Sequence, residues 1–273
     1  MTFRSAVVFD LDGVLVDVRE SYVRAAIATA QTLTQREFSA RDFLCIKAWG
    51  GFNNDWDLTL ALLWLAEKKL AVSAESPAGL REAVLGESIF RTNWADKVQD
   101  LFQQYYLGAR YYPAVYGRPV SAPLNNFRGF IENEKPWLPA DCIHRLPSSV
   151  YRVLLTGRPR PEALITLELL GLRSAFHRIV TDNEMLDWAD GARESLHLWR
   201  KPSQRLARKL QAQWPSSVRS AIYLGDTRDD CRTARGFTLP LGFVRCAFED
   251  PLGWEPALHG QVIRDMADLR RIF

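Results

Sequence analysis

The sequence predicts an open α/β sheet of parallel strands, with a helical block inserted after the first strand. Three observations lead there. Continuous apolar runs alternate with helix-period segments in the second half of the chain, and that alternation calls for parallel pairing through crossover helices. Reactive polar residues gather where those runs stop. Residues 18–136, by contrast, are patterned for helix, with no comparable β-branched run among them.

The first element is Ala6-Val7-Val8-Phe9, a β-branched run suited to a strand buried on both faces. It stops at Asp10-Leu11-Asp12-Gly13, where turn chemistry takes over. Helical patterns follow over 20–33, 55–70, 77–85 and 87–107, and Asn54 or Asp55 is placed to cap the second of these. Residues 112–129, rich in Pro, Gly and Asn, are predicted as loop or linker. Beyond residue 140, a strand is predicted over 151–155. A helix over 161–170 has Pro161 in its first turn, Ala163, Leu164, Leu167 and Leu170 on one face, and Gly171 at its end. A short strand over 179–181, a helix over 202–213 and strands over 221–224 and 239–244 complete the series. The predicted division is a core domain of residues 1–17 and 137–273 and a helical domain of residues 18–136.

Composition bounds the function classes. The 273 residues suit two domains, and 47% hydrophobic with 25% charged residues is an ordinary globular balance. A formal charge of +3 is too slight to imply a nucleic-acid partner or an anionic membrane. No apolar stretch approaches the roughly 18 residues of a membrane span, and the N-terminus has no secretory pattern. Cys45, Cys142, Cys231 and Cys246 include no CxxC pair and no histidine at metal spacing. They are expected to be reduced thiols in a cytoplasmic protein, although their even number leaves one disulfide open.

Four segments carry chemistry, three of them beginning where a predicted parallel strand ends, which is the edge of an open α/β sheet where ligands bind. They are Asp10-Leu11-Asp12-Gly13-Val14, Leu154-Leu155-Thr156-Gly157-Arg158, Arg200-Lys201-Pro202-Ser203 and Gly225-Asp226-Thr227-Arg228-Asp229-Asp230. Converging carboxylates repel one another unless a cation joins them, and hard oxygen donors select Mg²⁺. With a lysine, a small hydroxyl and free backbone N–H groups added, the set is a receptor for a phosphoryl group. A carboxylate held against the phosphorus can attack it and form an acyl phosphate, while a second can protonate the leaving oxygen and then activate water. Lys201 sits in a basic stretch that would also suit a solvated helix face, with Arg200 as the rival cation.

In this order the four segments resemble the four motifs of the haloacid dehalogenase (HAD) superfamily, in the branch with a helical cap that includes phosphoglycolate phosphatase and β-phosphoglucomutase. The resemblance implies a Rossmann-like core, its parallel sheet flanked by helices, and an inserted α-helical cap domain. It implies Asp10 as nucleophile, and Asp12 as general acid/base that also offers its backbone carbonyl to Mg²⁺. Thr156 and Lys201 would hold the transferring phosphoryl group, Asp226 would ligate the metal, and Asp230, rather than its neighbour Asp229, would support it directly or through water. The implied activity is Mg²⁺-dependent hydrolysis of a small phosphorylated metabolite through an aspartyl-phosphate.

Substrate contacts are expected from Thr156, Gly157 and Arg158, the last able to reach a second anionic group or to form a surface ion pair. Asn53 and Asn54, in Trp49-Gly50-Gly51-Phe52-Asn53-Asn54-Asp55-Trp56, stand either in a substrate-facing loop or at a helix N-terminus beside packing tryptophans. Two alternatives stay open: a phosphomutase with the same four motifs, and a non-catalytic binding or regulatory relative. Asp12 argues against a dehalogenase or a phosphonate hydrolase, because those branches lack the second aspartate. The helical block is longer than the caps of the resembling branch, which leaves the substrate open.

Overall fold

The strand predicted from Ala6 to Phe9 lies near the middle of the sheet. The computed structural model describes residues 2–49, 52, 54–73, 75–246 and 260–263. In chain order, β1 (Ser5–Phe9) and the two-residue β2 (Val16–Asp17) are followed by five helices: α1 (Tyr22–Thr34), α2 (Ala40–Trp49), α3 (Asp55–Glu67), α4 (Leu80–Leu85) and α5 (Ile89–Tyr116). Then come β3 (Lys135–Pro136), α6 (Ala140–His144), β4 (Val150–Leu155), α7 (Arg160–Leu169), β5 (Arg178–Val180) and α8 (Asp182–Trp188). The last elements are α9 (Gln204–Gln211), β6 (Ser220–Gly225), α10 (Arg228–Ala234), β7 (Leu241–Cys246) and β8 (Gly260–Ile263). Two compact units result, one of residues 1–17 and 135–273, the other of residues 18–134.

In the first unit six strands run in the order β5-β4-β1-β6-β7-β8, every neighbouring pair parallel. The core strands are apolar without alternation because helices must cover both faces of a parallel sheet. Ala6, Val8, Val153, Leu155, Ala221 and Tyr223 enter one buried cluster together with Leu206, Ala207 and Leu210 of α9. The α7 signals behave as their chemistry dictates: Pro161 lies in the first turn and Gly171 adopts a positive φ of 68° just past the end.

The second unit is helical. α3 is buried on every side from Leu58 through Leu65, so it is the unit's central helix rather than an amphipathic surface one. Asn54 caps it, accepting from the Trp56 N–H at 2.8 Å. Tyr22 of α1 stacks on Tyr106 of α5 with ring centroids 4.3 Å apart. Here the structure corrects the expectation of a loop over 112–129, because α5 continues through Pro113 to Tyr116. Its interruption falls earlier, at Gly108, whose φ of 64° is non-helical. A Cβ at Gly108 would overlap the backbone of Arg128 and Gly129, and one at Gly129 would overlap that of Leu107 and Gly108. The two chain segments therefore cross backbone against backbone, joined by the Ala109 N–H donating to Phe127 O at 2.8 Å. With the break absorbed there, burial of Tyr112 holds the following turns helical despite the proline. Among the described residues no helix is long and apolar enough to cross a membrane.

Candidate active site

Parallel register sends three chemical segments out of the same sheet edge. Phe9 lies opposite Leu154 on one side and Leu224 on the other, so Asp10, Thr156 and Asp226 all emerge just past their strands. The Asp10 N–H still donates to Leu224 O at 3.0 Å, which fixes its backbone to the sheet. Two glycines let the acidic loops close together. Gly13 has a φ of 69° and a Cβ there would overlap the Asp226 carboxylate, while a side chain at Gly225 would overlap Asp230.

Lys201 enters the gap. Its Nζ lies 2.7 Å from an oxygen of Asp10 and 2.7 Å from one of Asp230. The rival cation, Arg200, is turned to Asp182, gripping both carboxylate oxygens at 2.6 Å. Asp230 is fully buried, and each of its oxygens has two partners. Oδ1 receives Lys201 and the Tyr223 hydroxyl at 3.0 Å, and Oδ2 receives the Thr227 N–H at 3.1 Å and hydroxyl at 2.6 Å. Asp229 points elsewhere, to Arg232 at 3.2 Å. The difference between these neighbours comes from a capping box: Thr227 is the N-cap of α10 and Asp230 its third residue, so the carboxylate reaches back to the N-cap N–H. The Thr-x-x-Asp spacing is visible in the sequence. Thr227 and Tyr223 were absent from the candidate residues, and nothing local marks Tyr223 beyond its place two residues before Gly225.

One ligand atom each from Asp10, Asp226 and Asp230 lies within 4.8 Å of the others. Burial, the largest influence, pushes the Asp10 carboxyl well above the usual carboxylate range; Lys201 opposes this, and Asp230, Asp226 and Asp12 add to it. Burial would raise Asp230 as well, but Lys201 and the Thr227 hydrogen bonds outweigh it and hold Asp230 below its ordinary value. For Lys201, burial disfavours the charge, yet Asp10 and Asp230 raise it well above the ordinary lysine value. Three carboxylates thus cluster around Lys201. The all-oxygen donor set that remains suits a hard divalent cation.

The second segment is placed beside the first through one ion pair. Thr156 is fully buried, and its hydroxyl accepts from the Arg158 N–H at 3.1 Å. Arg158 donates to Asp12 Oδ1 from Nε at 2.8 Å and from Nη2 at 2.5 Å. The surface ion pair offered by the sequence is thus a buried one on the arginine's side. Gly157 has open space where a Cβ would stand. Asn54 spends its carbonyl oxygen on the α3 cap, as the helix N-terminus reading expects. Asn53 lies outside the described residues.

No model of a known protein family matches the sequence, and no curated protein does. Solved structures do. A phosphatase, Tt82 of Thermococcus thioreducens, superposes with a TM-score of 0.61 at 22% identity, covering 94% of this chain and 96% of its own. A haloacid dehalogenase-like family hydrolase of Streptococcus pneumoniae gives 0.56 at 15% identity, covering 99% of each chain. The fold is that of the haloacid dehalogenase-like hydrolases. A candidate HAD-hydrolase of Bacillus subtilis, YfnB, solved bound to magnesium, matches at 0.54 and 12% identity, covering 100% of this chain and 99% of its own.

Proposed function

We propose that the protein is a Mg²⁺-dependent phosphatase that hydrolyses a small phosphomonoester through an aspartyl-phosphate on Asp10. The observation that carries this reading is Lys201 bridging Asp10 and Asp230, with Asp226 alongside. The donor set fits Mg²⁺, with Asp10 and Asp226 as side-chain ligands and the Asp12 carbonyl as a further oxygen donor. Asp230, whose oxygens already carry two partners each, supports the site from behind. When bound, the cation offsets the negative charge that carboxylates and phosphoryl group bring together.

The chain's own residues account for the rest. Lys201 holds one Asp10 oxygen, leaving the other to attack phosphorus. As that O–P bond forms, the ester P–O bond breaks, and the departing oxygen takes the electron pair together with a proton from the Asp12 carboxyl. The Asp12 carboxylate then takes a proton from water as the water oxygen attacks the phospho-aspartate, which releases inorganic phosphate and restores Asp10. Thr156 and the Gly157 backbone hold the phosphoryl oxygens.

The test is inorganic phosphate release from a panel of phosphomonoesters with and without Mg²⁺, beside Asp10→Asn. Release that requires Mg²⁺ and falls by at least about 10³-fold in the variant is expected, since losing a nucleophile removes the covalent route. Release that persists in Asp10→Asn would refute the mechanism. Substrate converted to a phosphate isomer without free phosphate would point to a mutase.

A further inference from the structure

We propose that Arg158 is a positioning residue that aims the Asp12 carboxyl at the leaving-group oxygen, and that it does not bind substrate. The proposal rests on the phosphatase reading above. The Arg158 side chain is 2% exposed whereas that of Asp12 is 36% exposed. An arginine that grips a substrate anion must present its guanidinium to the cleft, and this one is enclosed. Its donors are committed on two sides: Nε and Nη2 to Asp12, and Nη1 to the Thr166 hydroxyl of α7 at 2.6 Å. Its backbone is held as well, with the N–H on the Thr156 hydroxyl and the carbonyl accepting from the Asp182 N–H at 3.0 Å. The fork is therefore clamped by buried groups before it meets Asp12, and a planar donor pair fixed at one end sets direction as well as distance.

Both donors land on the same oxygen, Oδ1. Oδ2 has no hydrogen-bond or ion-pair partner among the described residues, which leaves it to carry the proton that passes to the ester oxygen. Asp12 immediately precedes Gly13 and lies three residues beyond the end of β1, where nothing in the strand ladder orients its side chain. Arg158 supplies that orientation from the neighbouring strand's end. This gives the third residue of the Thr156-Gly157-Arg158 segment a role in proton transfer rather than in substrate charge recognition.

The experiment measures kcat/KM for Arg158→Gln, Arg158→Lys and Thr166→Val, with folding checked by circular dichroism. The substrates are uncharged-tail phosphomonoesters running from a dinitrophenyl to a simple alkyl leaving group, plus one alkyl phosphate bearing a carboxylate. A misaimed acid matters in proportion to how badly the leaving group needs its proton. Arg158→Gln is therefore expected to lose about 10²–10³-fold on the alkyl ester and less than about fivefold on the dinitrophenyl ester. Arg158→Lys should recover at least about tenfold of the alkyl loss, and Thr166→Val should show the same slope with a smaller loss. An equal loss on every ester would mean a merely structural role and overturn the proposal. So would a loss confined to the carboxylated substrate, or a gain in rate. If Arg158→Gln does not fold, the slope in Thr166→Val decides. Wild type that turns over no ester removes the phosphatase reading and this proposal with it, an outcome distinct from active wild type with a flat slope.

Discussion

The α/β unit and the helical unit bury polar groups in opposite ways. In the α/β unit, buried charges are concentrated at one sheet edge and set against one another: Asp10 and Asp230 share a single lysine, and Asp10 is pushed well above its ordinary range by burial and by three acidic neighbours. In the helical unit, buried polar groups are scattered and serve packing. Glu134 accepts from Ser21 and Tyr106, both at 3.0 Å, and tethers the chain where it leaves the unit. The Thr29 hydroxyl and the Gln103 amide are buried with no hydrogen-bond partner among the described residues. Concentrated, mutually opposed charge costs stability and provides reactivity. Scattered unpaired groups such as Thr29 and Gln103 also cost stability, but they set no charges against one another and provide no comparable reactivity.

The comparison can be broken hardest at Gly108. If the helical unit depends on a backbone crossing, Gly108→Ala places a methyl group in the Arg128 and Gly129 backbone at a positive φ. A loss of about 2–4 kcal/mol is expected, concentrated in the helical unit. Hydrogen exchange should show faster exchange in α1, α3 and α5 with the sheet still protected, and uniform protection would mean that the crossing is not structural.

A smaller effect of opposite sign is expected at Asp10. Its folded-state value is raised above the ordinary 3.8, so the folded protein holds the proton more tightly than the unfolded chain. The contribution to stability is full below 3.8 and is lost as pH rises through the folded value. At pH 7.5 without Mg²⁺, Asp10→Asn should therefore melt higher than wild type, by about 2–4 °C, and Mg²⁺ should narrow that gap by stabilising wild type. A variant that melts lower would show that the Lys201 pair outweighs burial and like-charge repulsion.

The smallest effect tests an ordinary titratable group of the same unit. Burial, and then the Arg152 charge, lower His177 below 6.5. Its Nδ1 accepts the Arg152 N–H at 3.0 Å, and its ring stacks on Tyr151. The neutral ring's contribution is complete above pH 6.5 and is lost as pH falls through the lowered folded value. The ring is largely exposed, so the excess drop in Tm between pH 7.5 and 5 should be about 1–2 °C relative to His177→Gln. An equal drop in both proteins would remove His177 from the account.

Where local pattern decides the outcome, the sequence was readable. Strands β1, β4, β6 and β7 announce themselves as apolar runs, and Pro161 and Gly171 bracket α7 because both act through the backbone of their own residue. Short pieces such as α6 and α8 went unpredicted, since a turn or two of helix offers too little periodicity to stand out, and the ten-residue α2 was missed as well. β8, a four-residue edge strand, was missed for the same reason. The proline, glycine and asparagine content of residues 112–129 suggested a loop, yet burial of Tyr112 and the break at Gly108 moved the end of α5 to Tyr116. The site was half legible: the residue types at the strand ends could be listed, but not which carboxylate each cation would meet.

By itself, then, the sequence determined the parallel sheet, the positions where its strands stop and the chemical character of the residues there, because those follow from periodicity and turn chemistry within a few residues. Only the tertiary structure decided that Arg158 turns to Asp12 across 146 positions of chain, that Lys201 rather than Arg200 reaches Asp10, and that Gly108 and Gly129 cross. Such partnerships are set by strand order and by what is buried opposite what. These depend on the whole chain's packing, and no local window of sequence contains them.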